Sequence, residues 1–190
     1  GICYELPIAS AQVKSALLLA GLYARGRTEI VEPTATRDHT EIMLREFGAV
    51  VRRSGSTIGM EGGQRLRGRR ISVPADLSTA AFLIAAALLV PNSAIEMHGV
   101  GINPTRTGFI DAAKAMGGEI IMKNVRRQDG EPIADIEVRY STLRGMDIGG
   151  ERVVRAIDEV PILAILAANA VGTTTIRNAA ELRVKESDRI

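Results

Sequence analysis

The chain repeats itself, and the repeat limits what it can fold into. Gly26-Arg27-Thr28-Glu29-Ile30 matches Gly172-Thr173-Thr174-Thr175-Ile176, and residues 92–96 hold the same place in a middle copy. Leu44-Arg45-Glu46-Phe47-Gly48 matches Ala113-Lys114-Ala115-Met116-Gly117. The first two copies are offset by about 66 to 69 residues and the third follows after about 80, a period of supersecondary units rather than of single helices. Each copy reads as strand, buried helix, strand, second helix, two strands. The fold class expected is therefore α/β, built from repeated βαβαββ units in two partial domains.

In the first copy, hydrophobic patterning predicts a helix over 10–24, capped by Ser10 and ended by Gly26. A strand over 28–31 follows. A second helix covers 38–47, with Asp38 and Glu41 spaced as a capping box, and a hairpin covers 49–53 and 57–60. The glycine- and arginine-rich stretch 61–70 reads as a solvated linker, which divides the chain into domains 1–70 and 71–190. In the second copy a strand over 71–73 precedes a helix over 76–90, a strand over 94–97 and a helix over 108–116. Strands over 119–123 and 135–140 follow, joined by a polar excursion over 124–134. The third copy gives a helix over 157–170 and a strand over 173–177, and stops where its second helix is due, so the chain is expected to be cut in mid-unit.

Composition narrows the class. Aromatic residues make up 3% and tryptophan is absent, so the core must come from Ala, Leu, Ile and Val, which suits helices packed closely on sheets. The net charge of +2 does not call for a nucleic acid or an acidic membrane. The arginines of 65–70 lack interleaved aromatics for base stacking. The single cysteine, Cys3, cannot form an internal disulfide, which fits a reducing, cytoplasmic compartment. His39 and His98 are the two histidines, too few for a histidine-rich metal site.

Superposing the buried helices of the three copies places Gln12, Ser78 and Asp158 near three helix N-termini. If those helices run parallel, their ends converge on a surface suited to anions. Ser10 and Gln12 offer a hydroxyl and an amide there. Arg37, in a loop entering a helix, can clamp a phosphate or carboxylate, or pair with Asp38 or Glu41 on the surface. Asp158 can act as a general base, or simply complement a helix dipole beside Glu159. Asn103-Pro104-Thr105-Arg106-Thr107 reads as a structural turn. Lys185, Glu186 and Arg189 place a cation, a carboxylate and a second cation within one turn. They serve either proton transfer near an anion or a solvated helix start.

Five stretches together carry a resemblance: S-A-Q-V-K-S-A at 10–16, T-R-D-H-T-E at 36–41, N-P-T-R-T-G at 103–108, I-D-E-V-P-I-L-A at 157–164 and E-L-R-V-K-E-S-D-R at 181–189. In this order they resemble the EPSP synthase family (3-phosphoshikimate 1-carboxyvinyltransferases). Ala11 between Ser10 and Gln12 resembles its bacterial class II, glyphosate-insensitive branch. The resemblance implies the inside-out barrel fold of enolpyruvyl transferases. Residues 1–70 would be the last unit of one domain and 71–190 part of the second, with the active site between the domains. It implies carboxyvinyl transfer from phosphoenolpyruvate to the 5-hydroxyl of shikimate 3-phosphate, without metal or organic cofactor. Ser10, Ala11, Gln12, Arg37, Asp158 and Lys185 would bind shikimate 3-phosphate. Gln12, Lys185 and Arg189 would face phosphoenolpyruvate. Asp158 would take the hydroxyl proton, Lys185 would contact both substrates, and Glu186 would move the proton at the methylene carbon.

The family's early lysine-serine motif, its glycine-asparagine loop, a further substrate arginine and its C-terminal arginine region have no counterpart. The chain is therefore expected to be a central piece, inactive alone, from a parent that is monomeric. A partial chain with open unit faces is expected to associate with itself or with the missing segments. Its expected partners are the two small-molecule substrates, with no nucleic acid and no membrane. The alternatives are the related enolpyruvyl transferase acting on UDP-N-acetylglucosamine, whose usual catalytic cysteine has no counterpart near Cys3, and a non-catalytic polyanion-binding module.

Overall fold

The computed structural model describes residues 1–184 and 187–190. The chain divides into two compact units. The first comprises Gly1–Ser72 with Asp129–Glu131, and the second comprises Val73–Gln128 with Pro132–Ile190.

The first unit is one complete βαβαββ motif. Its elements are β1 (Cys3–Glu5), α1 (Ala11–Gly21), β2 (Arg27–Val31), α2 (His39–Glu46), β3 (Val51–Ser54) and β4 (Thr57–Glu61). The sheet order is β1-β2-β4-β3, with β1 parallel to β2 and the other pairs antiparallel. α1 starts where the serine suggests: the Val13 N–H donates to the Ser10 hydroxyl oxygen at 3.3 Å. Its Leu18 and Leu22 pack with Ile30, Leu44, Val51, Ile58 and Met60 in one apolar cluster. Each such aliphatic chain stabilises the unit by about 1.5–3 kcal/mol relative to exposure. The expected capping box does not form. Asp38 precedes α2 without a side-chain cap bond, and Glu41 turns inward to Lys14, whose charge outweighs a solvated helix end.

The second unit repeats the plan. α3 (Leu77–Leu89), β5 (Ala94–Gly101), α4 (Gly108–Ala115), β6 (Glu119–Gln128) and β7 (Glu131–Arg139) form its first part. The sheet order β5-β7-β6 mirrors β2-β4-β3. The expected strand over 71–73 is replaced by a single parallel bridge, Ala75 to Val100. Pro74 has no N–H to give a ladder, which limits pairing there. The third copy supplies β8 (Asp147–Ile148), α5 (Glu151–Val154), α6 (Val160–Ala168) and β9 (Thr175–Ile176), with β8 parallel to β9. A 3₁₀ helix (Ala180–Val184) ends the described elements before residue 185. Ala80, Ala81, Ile84 and Leu88 of α3 pack with Val160, Leu163 and Leu166 of α6 in the main core, and the small alanines let the helices approach closely.

Two expectations are corrected by backbone chemistry. The excursion expected over 124–134 is a continuation of the hairpin, with Asp129-Gly130 as a two-residue turn. Both turn residues have positive φ, 47° and 83°, as the primed hairpin turns require. Within the expected linker 61–70, Glu61 closes β4 and residues 62–70 have no regular structure, yet the stretch is not wholly solvated. The Gln64 side chain donates to the Val50 carbonyl and accepts from the Val50 N–H, and the Arg67 N–H donates to the Phe47 carbonyl. Among the described residues, no helix is long and apolar enough to cross a membrane.

Candidate functional site

In the first unit the start of α1 and the loop before α2 face each other across a shallow pocket of about 440 Å³. Ala11, Gln12 and Arg37 line it, with Ser15, His39 and Thr40 beside them and Ala16 and Leu19 as an aliphatic wall. The fold brings together three of the residues expected from sequence. Ser10 caps the helix next to this pocket, and its hydroxyl oxygen accepts a backbone bond while its own proton remains a donor. No acidic residue lies in the first turn of α1, so its N-terminal partial charge is not neutralised from within the helix. Ser15 and Thr40 hydroxyls meet at 2.6 Å and tie α1 to α2. His39 is tied as well, its Nδ1 lying 2.6 Å from Glu131 Oε1.

The same unit holds a buried charge cluster that the sequence reading did not single out. Lys14 Nζ is 3.0 Å from Glu32 and 2.8 Å from Glu41, with no side-chain exposure. Arg53 donates to Glu32 at 2.9 Å, and the Thr36 N–H donates to Glu32 at 3.2 Å. Burial alone would raise the Glu32 pKa. Hydrogen bonds from Thr36 and Lys14 and the charges of Lys14 and Arg53 outweigh it, so the carboxyl titrates below its ordinary value. Through Thr36, the neighbour of Arg37, the cluster fixes one wall of the pocket to α1. A lysine two residues ahead of the apolar run 16–20 was the available signal.

In the second unit Asp158 lies in the turn over 155–159, not in the helix expected from 157. α6 begins at Val160 with Glu159 as its N-cap. Asp158 therefore stands two residues before its helix, whereas Gln12 and Ser78 are the second residues of theirs. Pro161 accounts for this, because proline is accommodated in the first turn of a helix and not deeper. The Asp158 carboxylate lies 3.5 Å from Arg189 Nη1. The N-termini of α3 and α6 do meet: the Ser78 hydroxyl donates to Glu159 at 2.5 Å, and Arg106 donates to both Ser78 and Glu159, at 2.6 and 3.0 Å. Arg106 thus has a specific buried partner where sequence assigned only a turn. Its signal was a Thr-Arg pair at the same repeat position as Thr36-Arg37. The expected sites at Lys185 and Glu186 lie outside the described residues.

The repeated βαβαββ plan is an architecture that this chain shares with an enolpyruvyl transferase. An enolpyruvyl transferase from Streptomyces tendae superposes with a TM-score of 0.68 at 22% identity, covering 92% of this chain and 43% of its own, which establishes the likeness of fold. The particular family follows from a family model, EPSP synthase (3-phosphoshikimate 1-carboxyvinyltransferase), that matches residues 1–190, and the chain belongs to that family. A 3-phosphoshikimate 1-carboxyvinyltransferase of Brevibacillus brevis is 55% identical over 190 residues, covering 100% of this chain and 45% of the relative. That of Geotalea daltonii is 54% identical, covering 100% and 44%. The EPSP synthase structure from Acinetobacter baumannii is 52% identical with a TM-score of 0.91, covering 100% of this chain and 43% of its own. The chain spans less than half the length of these relatives.

Proposed function

We propose that this chain is part of an enzyme that transfers the carboxyvinyl group of phosphoenolpyruvate to the 5-hydroxyl of shikimate 3-phosphate. The observation that carries the reading is the family match across all 190 residues. The pocket supports it: an uncompensated helix start, a hydroxyl donor at Ser10, the Gln12 amide and the Arg37 guanidinium suit a phosphorylated carboxylate. Ser10, Ala11, Gln12 and Arg37 bind shikimate 3-phosphate in this reading, with Asp158 and Lys185. Gln12, Lys185 and Arg189 hold phosphoenolpyruvate.

The reaction balances on two carboxyl groups. Glu186, as the acid, gives a proton to the methylene carbon of phosphoenolpyruvate. Asp158 takes the proton of the 5-hydroxyl as that oxygen bonds to the adjoining carbon. In the tetrahedral intermediate Glu186, now a carboxylate, takes a proton back from the methyl group, the carbon–oxygen bond to phosphate breaks, and inorganic phosphate leaves with the proton that Asp158 had taken, which returns Asp158 to its basic form. Arg189 beside Asp158 supports the reading, since the donor's cation and the acceptor's base then lie close together. The parent protein is a cytoplasmic monomer in this reading, with the class II type of site because of Ala11.

Product analysis on the full-length protein tests the reading. Shikimate 3-phosphate with phosphoenolpyruvate should give the carboxyvinyl ether and inorganic phosphate. UDP-N-acetylglucosamine in place of shikimate 3-phosphate should give neither, and the opposite preference would overturn it.

A further inference from the structure

We propose that Glu159, held by Ser78 and Arg106, is a positioning residue that fixes the turn carrying Asp158; this rests on the reading of Asp158 as the base. Glu159 caps α6 through its backbone alone: its carbonyl accepts from the Leu163 N–H at 2.9 Å, and its N–H donates to Ala156 at 2.8 Å. Its carboxylate makes no cap bond. It turns inward, with 2% of the residue exposed, and Oε1 receives both the Ser78 hydroxyl and an Arg106 N–H. One oxygen thereby joins the start of α6, the start of α3 and the loop before α4.

The other end of the same turn is anchored to the same loop. Arg155 Nε donates to the Pro104 carbonyl at 2.5 Å, and its Nη2 donates to the Thr107 hydroxyl at 2.6 Å and to Asp111 at 2.7 Å. Gly108 removes the last space between loop and turn: a Cβ there would lie 2.5 Å from the Arg152 carbonyl oxygen and 2.8 Å from the Ala156 nitrogen. Asp158 therefore sits between two side-chain anchors, Arg155 and Glu159, both fixed on residues 104–107. The Asn103-Pro104-Thr105-Arg106-Thr107 loop is the template against which the turn is set.

Stability does not account for the arrangement. Glu159 Oε2 and Arg106 Nε are buried without a hydrogen-bond partner among the described residues. An apolar pair of similar volume would hold α3 against α6 as well or better, because desolvating two charges costs as much as a monodentate bond returns. What the charged clamp adds is direction. A carboxylate held by one hydroxyl and one guanidinium fixes the rotation of residue 159, and with it the backbone that aims residue 158.

The test is a double-mutant cycle in the full-length protein. Glu159→Gln and Arg106→Met should each lower kcat about 10- to 100-fold, as expected for a reacting group displaced by about 1 Å, with KM for both substrates changed less than about twofold. Arg106→Lys should recover part of the loss. Asp158→Asn should be slower still, and Asp158→Asn with Glu159→Gln should be no slower than Asp158→Asn alone, because positioning acts through Asp158. Ser78→Ala removes one anchor without a charge change and serves if Glu159→Gln does not fold, with a smaller loss of kcat expected. Multiplying losses in the double variant, or unchanged kcat in Glu159→Gln or a folded Ser78→Ala, overturns the proposal while leaving Asp158 as base. Near-normal turnover in Asp158→Asn overturns both.

Discussion

Lys14 Nζ and a Glu41 carboxylate oxygen lie 2.8 Å apart in the interior of the first unit, with 0% and 2% side-chain exposure. Two cations, Lys14 and Arg53, face two carboxylates, Glu32 and Glu41, so the cluster is neutral as a whole. Removing one partner breaks that balance. Lys14→Met should destabilise the first unit by about 3–5 kcal/mol, read from urea unfolding, because Glu41 then keeps a buried charge with its close partner gone and only Arg53, at 3.9 Å, left to face it. Adding Glu41→Leu should restore part of the loss, since Glu32 keeps Arg53 and Thr36. A loss below about 1 kcal/mol in Lys14→Met would contradict the buried pairing.

Asp135 gives the second unit its clearest acid-sensitive group. The side-chain hydrogen bond from Asn124 and the Gly99 N–H, with Arg126 nearby, lower its pKa from 3.8 to about 2. His98 also faces it, at 3.7 Å. A depressed folded-state pKa contributes stability that is present above the unfolded value and lost as pH falls through the folded one. The Asp135→Asn variant should therefore be less stable than the parent at neutral pH, and the difference should close between about pH 4 and pH 2 in thermal melts. A difference unchanged across that window would contradict the assignment.

The first unit was legible from the repeat, because its strands alternate and its helices have marked starts. β6 was only half legible. Residues 124–128 of this strand are polar apart from the exposed Val125, and an edge strand facing water needs no apolar alternation to stay paired. Asp129-Gly130 was the better signal, since that pair is built for the φ angles of a hairpin turn. In the site, chemistry alone left Arg37 and Asp158 with bland alternatives, and the family motifs supplied their roles. The ion pairs and hydrogen bonds of Lys14, Arg106 and Glu159 went unread for another reason. Their partners lie 18 to 81 residues away along the chain, a distance that local patterns do not report.

Arg37 in the pocket wall gives a binding prediction. In the full-length protein Arg37→Ala should raise KM for shikimate 3-phosphate by about one to two decades, the loss expected for a charge-assisted hydrogen bond of about 1.5–3 kcal/mol. The KM for phosphoenolpyruvate should change far less. Equal loss for both substrates would mean that Arg37 shapes the site instead of gripping the acceptor.

The most direct measurement is turnover by Asp158→Asn and Glu186→Gln in the full-length protein, each checked by circular dichroism for an intact fold. General acid–base groups contribute about 10²- to 10⁴-fold, so phosphate release from shikimate 3-phosphate and phosphoenolpyruvate should fall by that order in each variant. Near-normal phosphate release in both folded variants would contradict the assignment of proton transfer to this chain.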